Sequence, residues 1–363
     1  MKFRPPRMQP AFSGTGHLVV WIAALAAILL SPILTALIVS PETRYLVMSK
    51  RVGPSDWHTN QVLIKTQPLD ILILGNSRML TAIDHATLRE IVHTPDGPLR
   101  SETIAARFNG YDLTYTFLKD FFIHRRARLV VINYPDIPQI DNHPGEKYIR
   151  RLGQPDPGLD INSPGLAITD YAEMALIGPR LALASIFRPG SLTRQGYRTM
   201  EDFPDFERTR GSYTPDEGYQ ENKTSPREAF TRYDSPDKPQ SAIIIYPGAP
   251  LPAGVVLTDR PLTPIEFAYL PAIKKLCEDN GAVLAFMLLP MATSQERIEI
   301  SDRVLALGVP IIAASPESMF GNIPPERIKE NYFDPLHLNS NGARRSAQVF
   351  GPAFQTLLEK IRG

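Results

Sequence analysis

Short runs of consecutive apolar residues recur along the chain and predict buried β-strands. Most are apolar throughout rather than alternating, which is typical of strands covered on both faces. The five runs are Asp70–Leu74, Thr103–Phe108, Leu129–Asn133, Ala282–Leu289 and Val309–Ala313. We therefore expect a parallel sheet of five strands.

Stretches with helical potential lie between and after these runs. They are Met79–Val92, Tyr115–Arg126, Pro264–Asp279, Ser294–Leu307 and Asn341–Ile361. Strand and helix thus alternate, and this alternation predicts a doubly wound α/β domain, which we place at residues 68–363.

The alternation fails in the middle of the chain. More than half of the 35 prolines fall between Pro135 and Pro264. We interpret residues 136–263 as an insertion in the domain. It forms either a surface excursion or a lid or docking surface over a functional site.

A longer apolar run, Leu18–Val39, carries no charged residue. A helix over it would measure about 33 Å, the thickness of a membrane hydrocarbon core. We predict a transmembrane anchor at residues 18–40, after a tail at 1–17 and before a linker at 41–67. A cleaved signal peptide is the alternative. A short tail before a long globular region is typical of a type II anchor, with the domain outside the cytoplasm.

The composition excludes several classes of function. Lys and Arg number 39 and Asp and Glu 38, so no excess positive charge is present to bind a nucleic acid backbone. The single cysteine, Cys277, excludes an intrachain disulfide and a multi-thiolate zinc site. The histidines form no Glu-paired helical metal motif, so we expect neither a metal nor a cofactor.

Ser77 follows the first predicted strand directly and begins a helical stretch. The carboxyl ends of the strands in an α/β sheet are where such folds place their ligands. Backbone N–H groups at the start of the helix would stabilise an oxyanion that forms at this serine. Ser77 is therefore a candidate nucleophile, and a simple helix N-cap is the alternative.

Asp334 and His337 lie three residues apart, just before the last predicted helix. On a loop at the carboxyl edge of the sheet, the carboxylate can orient the imidazole. The imidazole can then take the serine proton and return it to a leaving group. These motifs at opposite ends of one domain favour a triad of Ser77, His337 and Asp334.

The two motifs resemble conserved blocks of the SGNH, or GDSL-like, hydrolase superfamily. Its nucleophile block is similar to Gly75-Asn76-Ser77-Arg78. Its last block is similar to Asp334-x-x-His337 followed by Asn339, Asn341 and Gly342. The resemblance implies a three-layer α/β/α flavodoxin-like sandwich with five parallel strands.

The resemblance also implies three oxyanion donors, namely the N–H groups of Ser77 and of Gly110 and a side-chain amide after the third strand. Pro135 occupies the position of the usual asparagine there, and proline has no N–H group. Asn133, two residues earlier, is the candidate substitute.

The predicted anchor and the large insertion resemble the membrane-anchored branch of that superfamily. It includes the D-alanyl transfer protein of teichoic acid synthesis and exopolysaccharide O-acetyltransferases. The resemblance implies O-acetylation of a cell-envelope or secreted polysaccharide, beside a multispanning membrane-bound O-acyltransferase. It places the domain on the periplasmic or outer side of a bacterial inner membrane. The alternatives are an envelope carbohydrate esterase and a non-catalytic subunit of a polysaccharide-modification complex.

Overall fold

A computed structural model of the protein describes most of the domain predicted from the sequence. The described residues are 14–48, 55–108, 110–149, 240–291, 297–321, 328–332 and 334–361, with short pieces at 157, 171–172, 175–179, 181–183, 212–214, 218–220 and 323.

The fold is mixed α/β, with a mainly parallel sheet of six strands and helices around it. The strands in chain order are β1 (Leu69–Gly75), β2 (Ser101–Ala105), β3 (Ala127–Asn133), β4 (Ser212–Thr214), β5 (Gly218–Gln220), β6 (Ile243–Ile245), β7 (Val255–Thr258), β8 (Val283–Leu288), β9 (Ile298–Ser301) and β10 (Ile311–Ala313). The large sheet has the order β2-β1-β3-β8-β10-β6. β4 and β5 form a separate antiparallel pair, and β7 and β9 a separate parallel ribbon.

The five predicted strands are confirmed, but the predicted strand count is wrong. The sixth strand, β6, joins the sheet at its edge by antiparallel pairing with β10. It is only three residues long and lies in the proline-rich region assigned to an insertion. So short a run has no recognisable period, and its partner is distant in the sequence. Most of the predicted insertion at 136–263 lies outside the described residues.

Helices accompany the sheet along most of the chain. In chain order they are α1 (Thr15–Ile38), α2 (Pro41–Val47), α3 (Ser55–Thr59), a π-helix (Asn60–Ile64), α4 (Ser77–Leu80), α5 (His85–Ile91), α6 (Tyr111–His124), α7 (Glu146–Ile149), α8 (Pro264–Asp279), α9 (Asp302–Leu305), α10 (Pro316–Phe320), a 3-10 helix (Lys329–Asn331) and α11 (Ser340–Lys360).

Side chains of the central strand β1 enter two different apolar cores. Leu72 and Leu74 belong to a core that includes residues of α6 and α8. Ile71 and Ile73 belong to the other, which includes residues of α5 and α11. Because alternate side chains of a strand point to opposite faces, both faces of β1 are buried. This explains why its sequence is apolar without alternation.

One predicted helix is wrong. Residues 294–307 contain the strand β9 and only the short helix α9. In β9, Ile298 and Ile300 are buried while Glu299 between them is exposed. That alternation has the period of a strand rather than a helix. It spans only four residues, so the residues of high helix propensity around it led to the prediction of a helix.

The segment predicted as a linker, 41–67, also differs from expectation. It forms α2, α3 and the π-helix, and Tyr45 and Trp57 are fully buried in the two cores. The Tyr45 hydroxyl donates a hydrogen bond of 3.0 Å to Asp120 Oδ2 on α6. This segment is therefore an integral part of the folded domain.

Helix α1 covers most of the apolar run predicted as a membrane anchor. Large apolar side chains such as Leu18 and Leu37 are exposed on it. Ser31 and Thr35 interrupt its apolar sequence and are buried, and the Ser31 hydroxyl donates to the carbonyl of Ala175 at 2.8 Å. Among the residues that the structure describes, no helix is long and apolar enough to cross a membrane. The transmembrane helix predicted at 18–40 is therefore not found.

Candidate active site

The turn between β1 and α4 is built by two residues that precede Ser77. Gly75 has a φ of +147°, and a Cβ atom there would lie 2.3 Å from Asn133 Oδ1. Only glycine fits both the backbone conformation and this close approach. Asn76 is the N-cap of α4, and its Oδ1 accepts hydrogen bonds from the N–H groups of Arg78 and Met79.

Ser77 is the first residue of α4, so the alternative prediction that it is the N-cap is wrong. Asn76 fills that role, which leaves the Ser77 hydroxyl for other partners. Ser77 Oγ lies 2.7 Å from His337 Nε2, although the two residues are 260 positions apart in the chain. This distance suits direct proton transfer from a hydroxyl to an imidazole.

The other ring nitrogen of His337 is held by Asp334. Nδ1 lies 2.6 Å from Asp334 Oδ2, and the second carboxylate oxygen accepts the N–H groups of Leu336 and His337, each at 2.8 Å. Nδ1 donates to the carboxylate, so Nε2 is the ring nitrogen that accepts the Ser77 hydroxyl proton. The structure thus brings together the three residues predicted as a triad.

The carboxylate of Asp334 is stabilised in its charged form. Partial burial opposes ionisation, but the hydrogen bond and charge of His337 and the two backbone N–H donors outweigh it. The pKa of Asp334 therefore lies below its ordinary value. Asp334 stays ionised in the neutral range and can support a positive charge on the imidazole.

The loop that carries His337 is fixed by Asn339. Its Oδ1 caps α11 by accepting the N–H groups of Asn341 and Gly342, at 3.0 and 3.1 Å. Its Nδ2 donates to the Glu330 carbonyl at 2.7 Å. A Cβ atom on Gly342 would lie 2.2 Å from the carbonyl oxygen of Asn331, so glycine is required for this packing.

The candidate oxyanion donors Gly110 and Asn133 are held by a buried polar network. Asn133 Nδ2 donates to the Tyr111 hydroxyl at 2.9 Å, and its Oδ1 lies beside Gly75. Gly110 is the N-cap of α6, where a Cβ atom would meet the His143 ring at 2.6 Å. Asn133 is thus linked to Tyr111, and Gly110 packs against His143, whose backbone N–H donates to Asp112.

Arg78, the last residue of the nucleophile block, belongs to this site, and its burial was not predicted from the sequence. An arginine early in a helix is usually exposed, but the side chain of Arg78 is only 6% exposed. Its guanidinium forms an ion pair with Asp136 and donates to the Leu289 carbonyl at 2.6 Å. The sequence feature that could have indicated this burial is Asp136, an acidic residue shortly after β3.

Comparisons of the chain with protein-family models, with curated proteins and with solved structures gave no match. Membership of the SGNH superfamily therefore stays a prediction from the residues of the two motifs.

Proposed function

We propose that this protein is an SGNH-type serine acyltransferase that adds an acetyl group to a polysaccharide. The observation that carries the proposal is the continuous hydrogen-bonded relay from Ser77 Oγ through His337 to Asp334. The proposed architecture is the three-layer flavodoxin-like sandwich of that superfamily. Its order of strands and its serine after β1 support the assignment.

The relay supports a two-step acyl transfer. His337 Nε2 takes the hydroxyl proton of Ser77 as the oxygen attacks an ester or thioester carbonyl. His337 then gives the proton to the leaving group, which departs as an alcohol or thiol and leaves an acyl-serine. In the second step His337 deprotonates a carbohydrate hydroxyl, which attacks the acyl-serine, and the proton returns to Ser77. Asp334 supports the imidazolium formed in each step.

Stabilisation of the oxyanion is assigned to the N–H groups of Ser77 and Gly110 and to the amide of Asn133. Asn133 lies beside the backbone that leads into Ser77, which supports its assignment. Removal of one such donor from a working oxyanion hole slows turnover by about 10²-fold or more.

The setting is proposed from the sequence. The resemblance to the membrane-anchored branch of the superfamily supports a place for the domain on the periplasmic or outer side of a bacterial inner membrane. A multispanning membrane-bound O-acyltransferase is the proposed partner that supplies the acyl group.

An envelope carbohydrate esterase is the second candidate. The side chains of His337 and Asp334 are 18% and 32% exposed, so the relay is open to solvent. Water that reaches an acyl-serine would hydrolyse it, and removal of the same group would be the net reaction.

The test is acetylation by p-nitrophenyl acetate, using the detergent-solubilised full chain. We expect a burst of p-nitrophenol and an acetyl group on the peptide that contains Ser77. Ser77→Ala should abolish the adduct, and His337→Ala should slow the burst by about 10³-fold or more. Ser340→Ala is the matched control, because its buried hydroxyl makes no hydrogen bond among the described residues. An adduct that survives Ser77→Ala contradicts the proposal.

A further inference from the structure

A cavity of about 340 Å³ with a mixed apolar and charged lining lies at the carboxyl edge of the sheet. Its walls come from the segments that follow β3, β8 and β10 and from the ribbon of β7 and β9. Open α/β sheets bind their ligands outside this edge, and a volume of this size suits a small ligand.

Arg78 connects this cavity to the candidate nucleophile. Its guanidinium binds Asp136 and the carbonyl of Leu289, and both of these residues line the cavity. Arg78 is also the immediate neighbour of Ser77. The Arg78 side chain therefore links two residues of the cavity wall to the turn that carries Ser77.

The charges around the cavity balance one another. Asp136 is paired with Arg78, and Arg260 is paired with Glu266 at 3.2 Å. The two remaining charged lining residues, Arg297 and Glu299, are exposed and have opposite signs. Neither makes an ion pair with a residue in the described part of the chain. A balanced set of charges gives no net attraction to an anion.

The rest of the lining is largely apolar. Leu288, Leu289, Pro290 and Met291 form a continuous stretch of the wall. A surface with apolar area and a few charged hydrogen-bonding groups recognises a ligand that has both C–H faces and hydroxyl groups. A neutral sugar ring has this combination.

We propose that this cavity binds a neutral sugar ring of the acyl acceptor, with Arg297 and Glu299 as hydrogen-bonding partners of its hydroxyl groups. The proposal rests on the acyl transfer proposed above and names the class of its acceptor. Arg297 donates to hydroxyl oxygens, and Glu299 accepts hydroxyl protons. Arg78 is a positioning residue that joins the occupied cavity to the turn that carries Ser77.

Saturation-transfer NMR on the detergent-solubilised full chain tests the proposal. The probes are cellobiose, mannobiose and N,N′-diacetylchitobiose, with digalacturonic acid as an anion of similar size. We expect at least one neutral disaccharide to bind more tightly than the anion. We expect Arg297→Ala with Glu299→Ala to weaken that binding about tenfold or more, because hydrogen bonds to charged groups are lost.

The control variant is Lys275→Ala with Asp279→Ala, which removes an exposed pair of opposite charges on α8. It should bind the disaccharide as the parent does. Binding by none of the neutral probes, preference for the anion, or equal binding by the cavity variant would overturn the proposal.

Labelling of Ser77 by a fluorophosphonate in the same samples separates the two proposals. Because Arg297 and Glu299 are exposed and no triad residue lines the cavity, the cavity variant should label at the parent rate. Labelling of Ser77 without sugar binding would refute only the proposal that the cavity binds a sugar. Sugar binding without labelling would refute the acceptor role together with the proposed acyl transfer.

Discussion

Arg78 is a buried cation one residue after the candidate nucleophile, and its charge is balanced within the protein. Its partner Asp136 follows β3, while the carbonyl that it also contacts belongs to Leu289 after β8. Three loops at the carboxyl edge of the sheet are therefore held together by one guanidinium. Removal of one partner of a buried ion pair lowers the stability of the fold strongly, because the other charge is left buried and unpaired.

We expect Asp136→Ala to lower the free energy of unfolding by about 3 kcal/mol, because it leaves the Arg78 guanidinium without its counter-charge. Asp136→Asn keeps an acceptor oxygen at the same place and should cost less. Urea denaturation of the full chain in detergent measures both. Equal stability of Asp136→Ala and the parent would show that the ion pair does not support the fold.

At the scale of elements, the nucleophile and the histidine are each positioned by an asparagine that caps the N-terminus of a helix. Asn76 caps α4 with φ and ψ of −85° and −174°, and Asn339 caps α11 with −84° and −174°. Each cap fixes the chain direction within two residues of a triad member. Gly342 then allows α11 to approach the carbonyl of Asn331.

Gly342→Ala should therefore disturb the triad without changing any of its members. The added Cβ atom would meet a backbone oxygen at 2.2 Å, so the loop that carries His337 must move. We expect the rate of Ser77 labelling by a fluorophosphonate to fall about tenfold or more, since proton transfer depends on a short hydrogen bond.

Gly16→Ala is the matched control, because a Cβ atom at this helical glycine has nothing within 4 Å. It should label at the parent rate. If Gly342→Ala labels equally fast, the contact with Asn331 does not position the histidine.

The sequence was informative where an element carried its own pattern. Buried strands such as β1 show apolar runs, and Pro264–Asp279 was predicted from its helical potential with its observed bounds. In the structure Thr263 and Glu266 form a capping box at its start. The sequence did not indicate features that depend on contacts between residues far apart in the chain. β6 depends on pairing with β10, and the burial of Arg78 depends on loops after β3 and β8. The Asp334–His337 pair was visible from local spacing, but its 2.7 Å approach to Ser77 required the fold.

At the scale of the whole molecule, the fully buried His58 and the half-buried His85 contribute to the dependence of stability on pH. Burial lowers the pKa of His58 and of His85 to about 4, from an ordinary value of 6.5. Between these values the unfolded chain binds more protons than the folded one. The free energy of unfolding therefore falls as the pH is lowered from about 6.5 to about 4.

Each histidine should contribute roughly 3 kcal/mol to this loss at the acid end. His85→Gln can keep hydrogen bonds to Ser101 and Thr103, so it should remove the contribution of His85 and reduce the pH dependence. Urea denaturation at a series of pH values measures the slope of the free energy of unfolding against pH. His124→Gln, at an exposed helix end, should leave the slope unchanged. An unaltered slope in His85→Gln would show that His85 does not contribute to the pH dependence of stability.

The central claim is that Ser77, His337 and Asp334 form a working nucleophilic relay, and fluorophosphonate labelling of the full chain tests it most directly. The account predicts one adduct, on the peptide that contains Ser77. The adduct should be absent from Ser77→Ala, about 10³-fold slower to form in His337→Ala, and unchanged in Ser340→Ala. Failure of the folded parent to label, or labelling at a rate independent of His337, would contradict the account and favour a non-catalytic role for the domain.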